Sequence, residues 1–416
     1  MVQRNPHIAS LHGNYLFPEI EKRRKDFLQH TPHAKLISLG IGDTTEPLSY
    51  TAARAIEEKG KAMATCLGYS GYGPTQGLTA LRHAISQRFY GNAISPDELF
   101  ISDGAKCDIG RLQLLFGPEA VAAVQDPAYP VYVDSAVAIG QGGAWDEQQR
   151  GYRKIVYLPC TPENNFFPDL HQLAGYNIDL LYICSPNNPT GMVATSYQLE
   201  QLVAFARSKG SIIVFDAAYA PFIRDPSLPR SIYEIEGARE VAIEIGSFSK
   251  WGGFTGVRLG WSVVPEELCY SDGTPLQHDW QRLLATLFNG ASILAQCAGL
   301  ALLTEEGWRD IHLLTEHYLA NAAVLRQAIA STGHSGYGGE NIPYLWVPFA
   351  GLRSWEIFTR LLEEAHLLVT PGSGFGPTGE GFIRLSAFGE QGAIAEAATR
   401  LSNFLRNRLP EPSKLS

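Results

Sequence analysis

The stretch at residues 241–261, VAIEIGSFSKWGGFTGVRLGW, decides how the chain is read. Its opening, VAIEIG, is a short and mostly apolar run, the length of a buried strand and too short for a helix. The run stops at Ser247, and the Ser-x-Ser-Lys and Gly-Gly that follow suit a turn. Lys250 therefore stands just past a strand end, among small residues. A lone lysine there is ordinarily a solvated turn residue. This one has Ser247 and Ser249 before it and Arg258 eight positions after it. Two hydroxyls and a guanidinium fork suit a phosphate dianion. In a partly desolvated cleft the lysine pKa falls toward the neutral amine that imine chemistry requires.

Working outward, the same pattern recurs. VAAVQDP (121–127), LLYICSP (180–186) and SIIVFDAAY (211–219) are apolar runs that end at Asp, Asn, Ser or Pro. Between them lie amphipathic segments such as SYQLEQLVAFARSKG (196–210), apolar at helical spacing and stopped by Gly210. Strand, helix, strand at this rhythm predicts an α/β fold, a mostly parallel sheet flanked by helices. The polar residues at the run ends then share the sheet edge where open α/β folds bind ligands.

Phosphate recognition beside an imine-forming lysine points to pyridoxal phosphate, and that cofactor sets further requirements. An acid must face its ring nitrogen, and Asp216 stands at a strand exit, 34 residues before Lys250. Tyr219 and Asn188, the latter in SPNNPTG (185–191), are placed to hydrogen-bond the ring's phenolic oxygen, and Asn188–Pro189 is a candidate cis bond. In SDGAKCDIGRLQLLF (102–116), Gly104 permits close approach to a helix opened by Ala105 and Lys106, an N-terminus suited to phosphate. Tyr129, in QDPAYPVY, could stack on a planar ring. Singly, each residue has an ordinary explanation as a cap, a turn or a core residue; as a set they do not.

Bulk properties narrow the alternatives. The 416 residues are 45% hydrophobic and 18% charged, as expected of a globular chain of about two domains. A net charge of −9, with EKRRKDF (21–27) the densest basic patch, argues against nucleic-acid partners. No apolar run reaches membrane-spanning or signal-peptide length, which predicts a cytoplasmic protein with no membrane partner. The six cysteines are scattered and the eleven histidines show no ligand spacing, so reduced thiols and no metal are expected. GSGFG (372–376) reads as a tight turn, since no βαβ unit follows it. We expect residues 1–45 to form an N-terminal arm and part of a small domain. Residues 46–300 would form the large domain and residues 301–416 a smaller α+β domain.

The chain resembles the class I/II aminotransferases, pyridoxal-phosphate enzymes of fold type I. Motifs carry the resemblance nearly end to end, among them GYGPTQG (71–77), CSPNNPTG (184–191), FDAAYAPFI (215–223) and SFSKWGGFTGVRLGW (247–261). NYLF (14–17), IGDTT (41–45) and SDGAKCDI (102–109) narrow it to the group acting on diaminopimelate. The resemblance implies that Lys250 binds the cofactor and shuttles the proton. Asp216, Asn188 and Tyr219 would address the ring, with Tyr129 stacked on it. Ala105, Lys106, Ser247, Ser249 and Arg258 would hold the phosphate. It also implies a homodimer in which Tyr72 reaches the neighbouring subunit's phosphate. Arg384 would clamp the substrate α-carboxylate, and Tyr15, Gly42 and Asn289 would complete the substrate pocket. Tyr129 and Asn188 would touch substrate too, and Lys106 would meet the distal carboxylate of glutamate.

One position departs from that pattern. In this group an acid often stands three positions after the tyrosine of GYG and helps hold the substrate's distal ammonium; here it is Thr75. An aspartate or aromatic specificity therefore stays open, as does a lyase using the same cofactor. A non-catalytic regulator that binds pyridoxal phosphate would need a DNA-binding segment, and the N-terminal residues show none.

Overall fold

The computed structural model describes residues 1–13, 16–173 and 175–408, with the backbone alone at 407–408. The central sheet has seven strands: β1 (Leu99–Ser102), β2 (Ala122–Asp126), β3 (Val156–Pro159), β4 (Leu180–Cys184), β5 (Ile212–Asp216), β6 (Ala242–Ser247) and β7 (Gly260–Val263). Their order across the sheet is β1-β7-β6-β5-β4-β2-β3. Only β7 runs against its neighbours β1 and β6; every other pairing is parallel. The fold is α/β with a mostly parallel sheet, as the alternation of apolar runs implied.

Such strands are buried on both faces, which is why they read as continuous apolar runs. Successive side chains point to opposite faces. Thus Leu180 and Tyr182 of β4 join one core with Val214 and Ile243. Leu181 and Ile183 join the opposite core with Ile213 and Phe215. The helix Ser196–Lys209 covers that second face through Leu199, Leu202, Val203 and Ala206. Its start is a capping box, Thr195 with Gln198, and its end is Gly210 at φ 70°.

Register gathers the strand exits. Cys184 lies opposite Asp216, Asp216 opposite Ile245, and Gly260 opposite both Ser247 and Ser102. Because β7 is antiparallel, its first residue sits at the same edge as the last residues of its neighbours. The polar groups singled out from the sequence are thus brought to one edge by the pairing itself.

A second sheet of four strands has Tyr344–Pro348 and Phe382–Ser386 at its centre, with Trp346 opposite Arg384. Its core also contains Leu16, Ile20, Ile37 and Leu39 from the N-terminal segment, and Ile37–Ser38 pairs in parallel with Leu367–Leu368. The helix Glu305–Ala330 joins the two bodies: Ile311 and Tyr318 pack with the large sheet's helices, Ala322, Leu325 and Ile329 with the small sheet.

Two local features differ from expectation. The N-terminal arm, expected without regular structure of its own, begins with a helical turn at Pro6–Ala9, capped by Asn5 Oδ1 accepting from the His7 N–H at 2.9 Å. Gly372–Phe375, expected as a tight turn, is a short 3₁₀ helix that packs against the Asp126 end of β2. No helix among the described residues is long and apolar enough to cross a membrane.

Candidate active site

At the sheet edge lies a cavity of about 320 Å³. Lys250 opens onto it, and its Nζ donates to the carbonyl of Gly42. Burial pushes the Lys250 pKa down to about 8, the charge of Asp43 partly opposing this and Arg384 and Arg258 reinforcing it. Near neutrality the amine is therefore within reach of its uncharged, nucleophilic form. Gly42 admits no side chain, because a Cβ there would run into the Tyr344 hydroxyl. The neighbouring backbone is fixed: Thr44 Oγ1 meets Thr255 Oγ1 at 2.9 Å, and the Tyr318 hydroxyl accepts from the Thr45 and Glu46 N–H groups.

Behind Lys250 is a nest of donors. Ser249 N–H donates to Ser247 Oγ at 3.1 Å, and Arg258 Nη1 donates to Ser249 Oγ at 3.2 Å. Arg258 holds a left-handed backbone, φ 68°, of a kind that concentrates at functional sites. Opposite stands the helix Ala105–Leu112, whose N-cap Gly104 offers no capping side chain. Gly104 has φ 121°, and a Cβ on it would collide with the Arg258 guanidinium. No carboxylate pairs with Arg258 among the described residues. Free helix N–H groups, two hydroxyls and an unpaired guanidinium fit a phosphate ester, and the nest is too tight for an extra methyl group.

The third part is an acid with a fixed partner. Asp216 Oδ2 accepts from the Tyr132 hydroxyl at 2.7 Å and Oδ1 from the Ala218 N–H at 3.0 Å. Burial raises the Asp216 pKa, and these two hydrogen bonds oppose the rise. Tyr219 and Tyr344 share a hydroxyl contact of 2.9 Å.

The fourth part is Arg384, only 1% exposed. Its Nη1 donates to Asn188 Oδ1 at 2.7 Å and its Nη2 to the Gly40 carbonyl at 2.6 Å, while Nε has no partner. The Tyr344 ring lies 4.4 Å from its guanidinium carbon and the Phe375 ring 5.0 Å. Among the described residues no carboxylate pairs with it. A buried guanidinium without a counter-ion is costly, and an anionic ligand removes the cost.

Most residues expected from the sequence thus meet in this cavity: Gly42, Ala105, Lys106, Tyr129, Asn188, Asp216, Tyr219, Ser247, Ser249, Lys250, Arg258 and Arg384. Asn188–Pro189 is cis. Tyr15 lies outside the described residues. Tyr72 and Asn289 do not line the cavity of their own chain; Tyr72 is 89% exposed, and Gly290 packs against Pro74 and Thr75. Sequence reasoning missed Asp43, Tyr132 and Tyr344. Tyr132 lies in the first turn of the helix Val131–Ala138, just past Tyr129, and its ring meets that of Tyr129 edge-on at 5.9 Å. Nothing in the alternation of YLWV marks Tyr344.

A buried lysine of lowered pKa and a nest that fits a phosphate ester, at the edge of the large sheet, face a buried, counter-ion-free arginine from the small sheet, an arrangement suited to the chemistry of an aminotransferase. The family model described as aminotransferase class I and II matches residues 34–401, and the chain belongs to that family. The LL-diaminopimelate aminotransferase of Protochlamydia amoebophila is 53% identical over 405 residues, covering 97% of this chain and 98% of that protein. The chloroplastic LL-diaminopimelate aminotransferase of Arabidopsis thaliana is 50% identical, covering 97% of this chain and 87% of that protein. The solved L,L-diaminopimelate aminotransferase of Chlamydomonas reinhardtii superimposes with a TM-score of 0.93 at 51% identity, over 97% of this chain and 98% of that one. An aspartate aminotransferase from Thermotoga maritima, 22% identical with a TM-score of 0.83 over 98% of this chain and all of that one, shares the fold.

Proposed function

We propose that this chain is an LL-diaminopimelate aminotransferase. It moves an amino group from L-glutamate to tetrahydrodipicolinate, giving LL-2,6-diaminopimelate and 2-oxoglutarate by ping-pong transfer at one site. The observation that carries the reading is the buried, counter-ion-free Arg384 opening onto the same cavity as Lys250. Relatives of that activity at 50–53% identity support the substrate.

The chemistry supplied by bound pyridoxal phosphate is an electron sink for negative charge developing at the substrate Cα. Ala105, Lys106, Ser247, Ser249 and Arg258 would hold the phosphate, joined by Tyr72 of a second copy. Asp216, kept in place by Tyr132, would face the ring nitrogen, while Asn188 and Tyr219 would address the phenolic oxygen and Tyr129 the ring face. Arg384 binds the substrate α-carboxylate bidentately and so orients Cα. Lys250 would remove and return the Cα proton, a role suited to an amine whose pKa burial lowers to about 8. Gly42 lines the substrate side, and Tyr15, outside the described residues, is proposed to complete the pocket.

We infer a homodimer working in the cytoplasm. Its support is the exposed apolar group of Leu67, Tyr69 and Tyr72, a surface that a second copy would cover. Tyr72 and Asn289, outside their own cavity, would then serve the partner's site.

The test is a spectral titration of the purified, cofactor-loaded protein with LL-diaminopimelate, L-glutamate, L-aspartate and L-phenylalanine. Loss of the cofactor's visible band with both LL-diaminopimelate and glutamate is expected. A response to glutamate and aspartate or phenylalanine, with none to LL-diaminopimelate, would overturn the assignment while leaving the family intact.

A further inference from the structure

The charged groups lining the cavity are unevenly employed. Four are cationic: Lys106, Lys250, Arg258 and Arg384. Two are carboxylates, Asp43 and Asp216. Asp216 is engaged by Tyr132 and Ala218. Asp43 has no hydrogen bond or ion pair among the described residues, although its charge is felt by both Lys250 and Tyr344.

Its backbone is firmly mounted all the same. Gly42, on one side, accepts from Lys250, and Thr44, on the other, meets Thr255. Thr45 and Glu46 are tied to Tyr318. A carboxylate held at a cavity mouth by a rigid backbone, with nothing paired to its side chain, is an arrangement for receiving a cation from outside. Asp134, the next candidate acid, lines a separate cavity beside Trp145 and faces Lys106.

Resting on the function proposed above, we propose that Asp43 sets substrate specificity by receiving the second ammonium group of a diamino dicarboxylic acid. The charges of such a substrate match the cavity. Its reacting end brings one carboxylate to Arg384 and one amine to the reaction centre. Its far end brings another carboxylate, which Lys106 meets, and another ammonium, which Asp43 meets. Glutamate shares the first three groups and lacks the fourth. Asp43 is therefore asked for by one substrate and not by the other.

That difference gives the test. Half-reactions with LL-diaminopimelate and with glutamate are followed by the cofactor's absorbance, first in the wild-type protein and then in Asp43→Asn and Asp43→Glu. The ratio of kcat/KM for diaminopimelate to that for glutamate is expected to fall about tenfold to a hundredfold in Asp43→Asn, the loss of one charge-assisted hydrogen bond. Most of the fall should lie in KM, and Asp43→Glu should recover part of it. Equal losses with both substrates would show that Asp43 acts through Lys250, and would overturn the proposal. An unaltered ratio in a variant whose Tm matches the wild type would do the same. A wild-type protein that ignores diaminopimelate removes the parent reading and this proposal together, whereas an unaltered ratio removes this proposal alone.

Discussion

The Tyr132 hydroxyl donates to Asp216 Oδ2 at 2.7 Å, and both side chains are buried. Burial drives the Asp216 pKa upward, so the carboxylate depends on its donors to stay ionised, as its proposed place opposite a cationic cofactor ring requires. Tyr132→Phe removes one of the two donors without changing the packing of the ring, which stacks on Tyr182 at 5.4 Å. A hydrogen bond to a charged group contributes roughly 1.5–3 kcal/mol. We expect kcat to fall about tenfold or more, and the pH at which the bound cofactor's absorbance changes to shift. An unaltered spectrum and kcat would mean that Ala218 alone suffices.

Among the described residues Arg384 has no carboxylate partner, and the Tyr344 and Phe375 rings flank it. Arg384→Lys keeps the charge and loses both the fork and the flat face. We expect kcat/KM to fall about a hundredfold for every amino-acid substrate, since all present an α-carboxylate, equivalent to ~2.7 kcal/mol. Tm should fall only modestly, because a lysine ammonium can keep one of the two bonds, to Asn188 or to Gly40, that the fork makes. Steady-state kinetics with two substrates and a thermal melt separate these outcomes.

How much of this was legible beforehand follows from what kind of contact made each part. Lys250, Ser247, Ser249 and Arg258 are close in sequence, and Asp216 and Asn188 end apolar runs, so local pattern sufficed once parallel strands aligned their exits. Arg384 and Gly42 were reached through family resemblance, because their meeting depends on packing between the two sheets. Tyr344 lies 125 positions from its partner Tyr219, and no local period reports such a contact. No local pattern marks Asp43 within IGDTT, since what sets it apart is that its side chain has no partner among the described residues. The helical turn at Pro6–Ala9 begins with Asn5-Pro6, a cap followed by proline, and that signal was available.

Gly104 is held at φ 121° against the Arg258 guanidinium. Gly104→Ala would have to adopt a backbone that residues with a Cβ rarely take and would displace Arg258 from Ser249. Cofactor affinity is the sensitive quantity. We expect its dissociation constant to rise tenfold or more, measured by equilibrium dialysis, with the secondary structure seen by circular dichroism retained.

Asp126, buried at the end of β2, accepts from the Thr378 N–H through both oxygens, at 3.1 and 3.2 Å, and so ties the large sheet to the loop after Phe375. Burial raises its pKa to about 7. A carboxyl whose folded pKa lies above its unfolded value stabilises the fold at low pH, and loses that contribution as pH rises through about 7. Asp126→Asn cannot ionise. Its Tm relative to wild type should therefore increase between pH 5 and pH 8, by roughly 1–2 °C for each kcal/mol involved. A difference independent of pH would place the ionisation elsewhere.

The pH dependence of Lys250 has the opposite sense. Its pKa is lowered to about 8 by burial, so below that pH the amine is mostly protonated and cannot attack an aldehyde. For the cofactor-free protein, the rate of attachment of pyridoxal phosphate should climb close to tenfold per pH unit up to about 8, then level off. An ordinary surface lysine would keep climbing to about 10.4. Stopped-flow absorbance between pH 6 and pH 10 distinguishes the two profiles. Asp43→Asn supplies an internal check, because removing the nearby negative charge should move the plateau to lower pH. A plateau that stays in place would mean that the Asp43 charge has no part in setting the reactivity of Lys250.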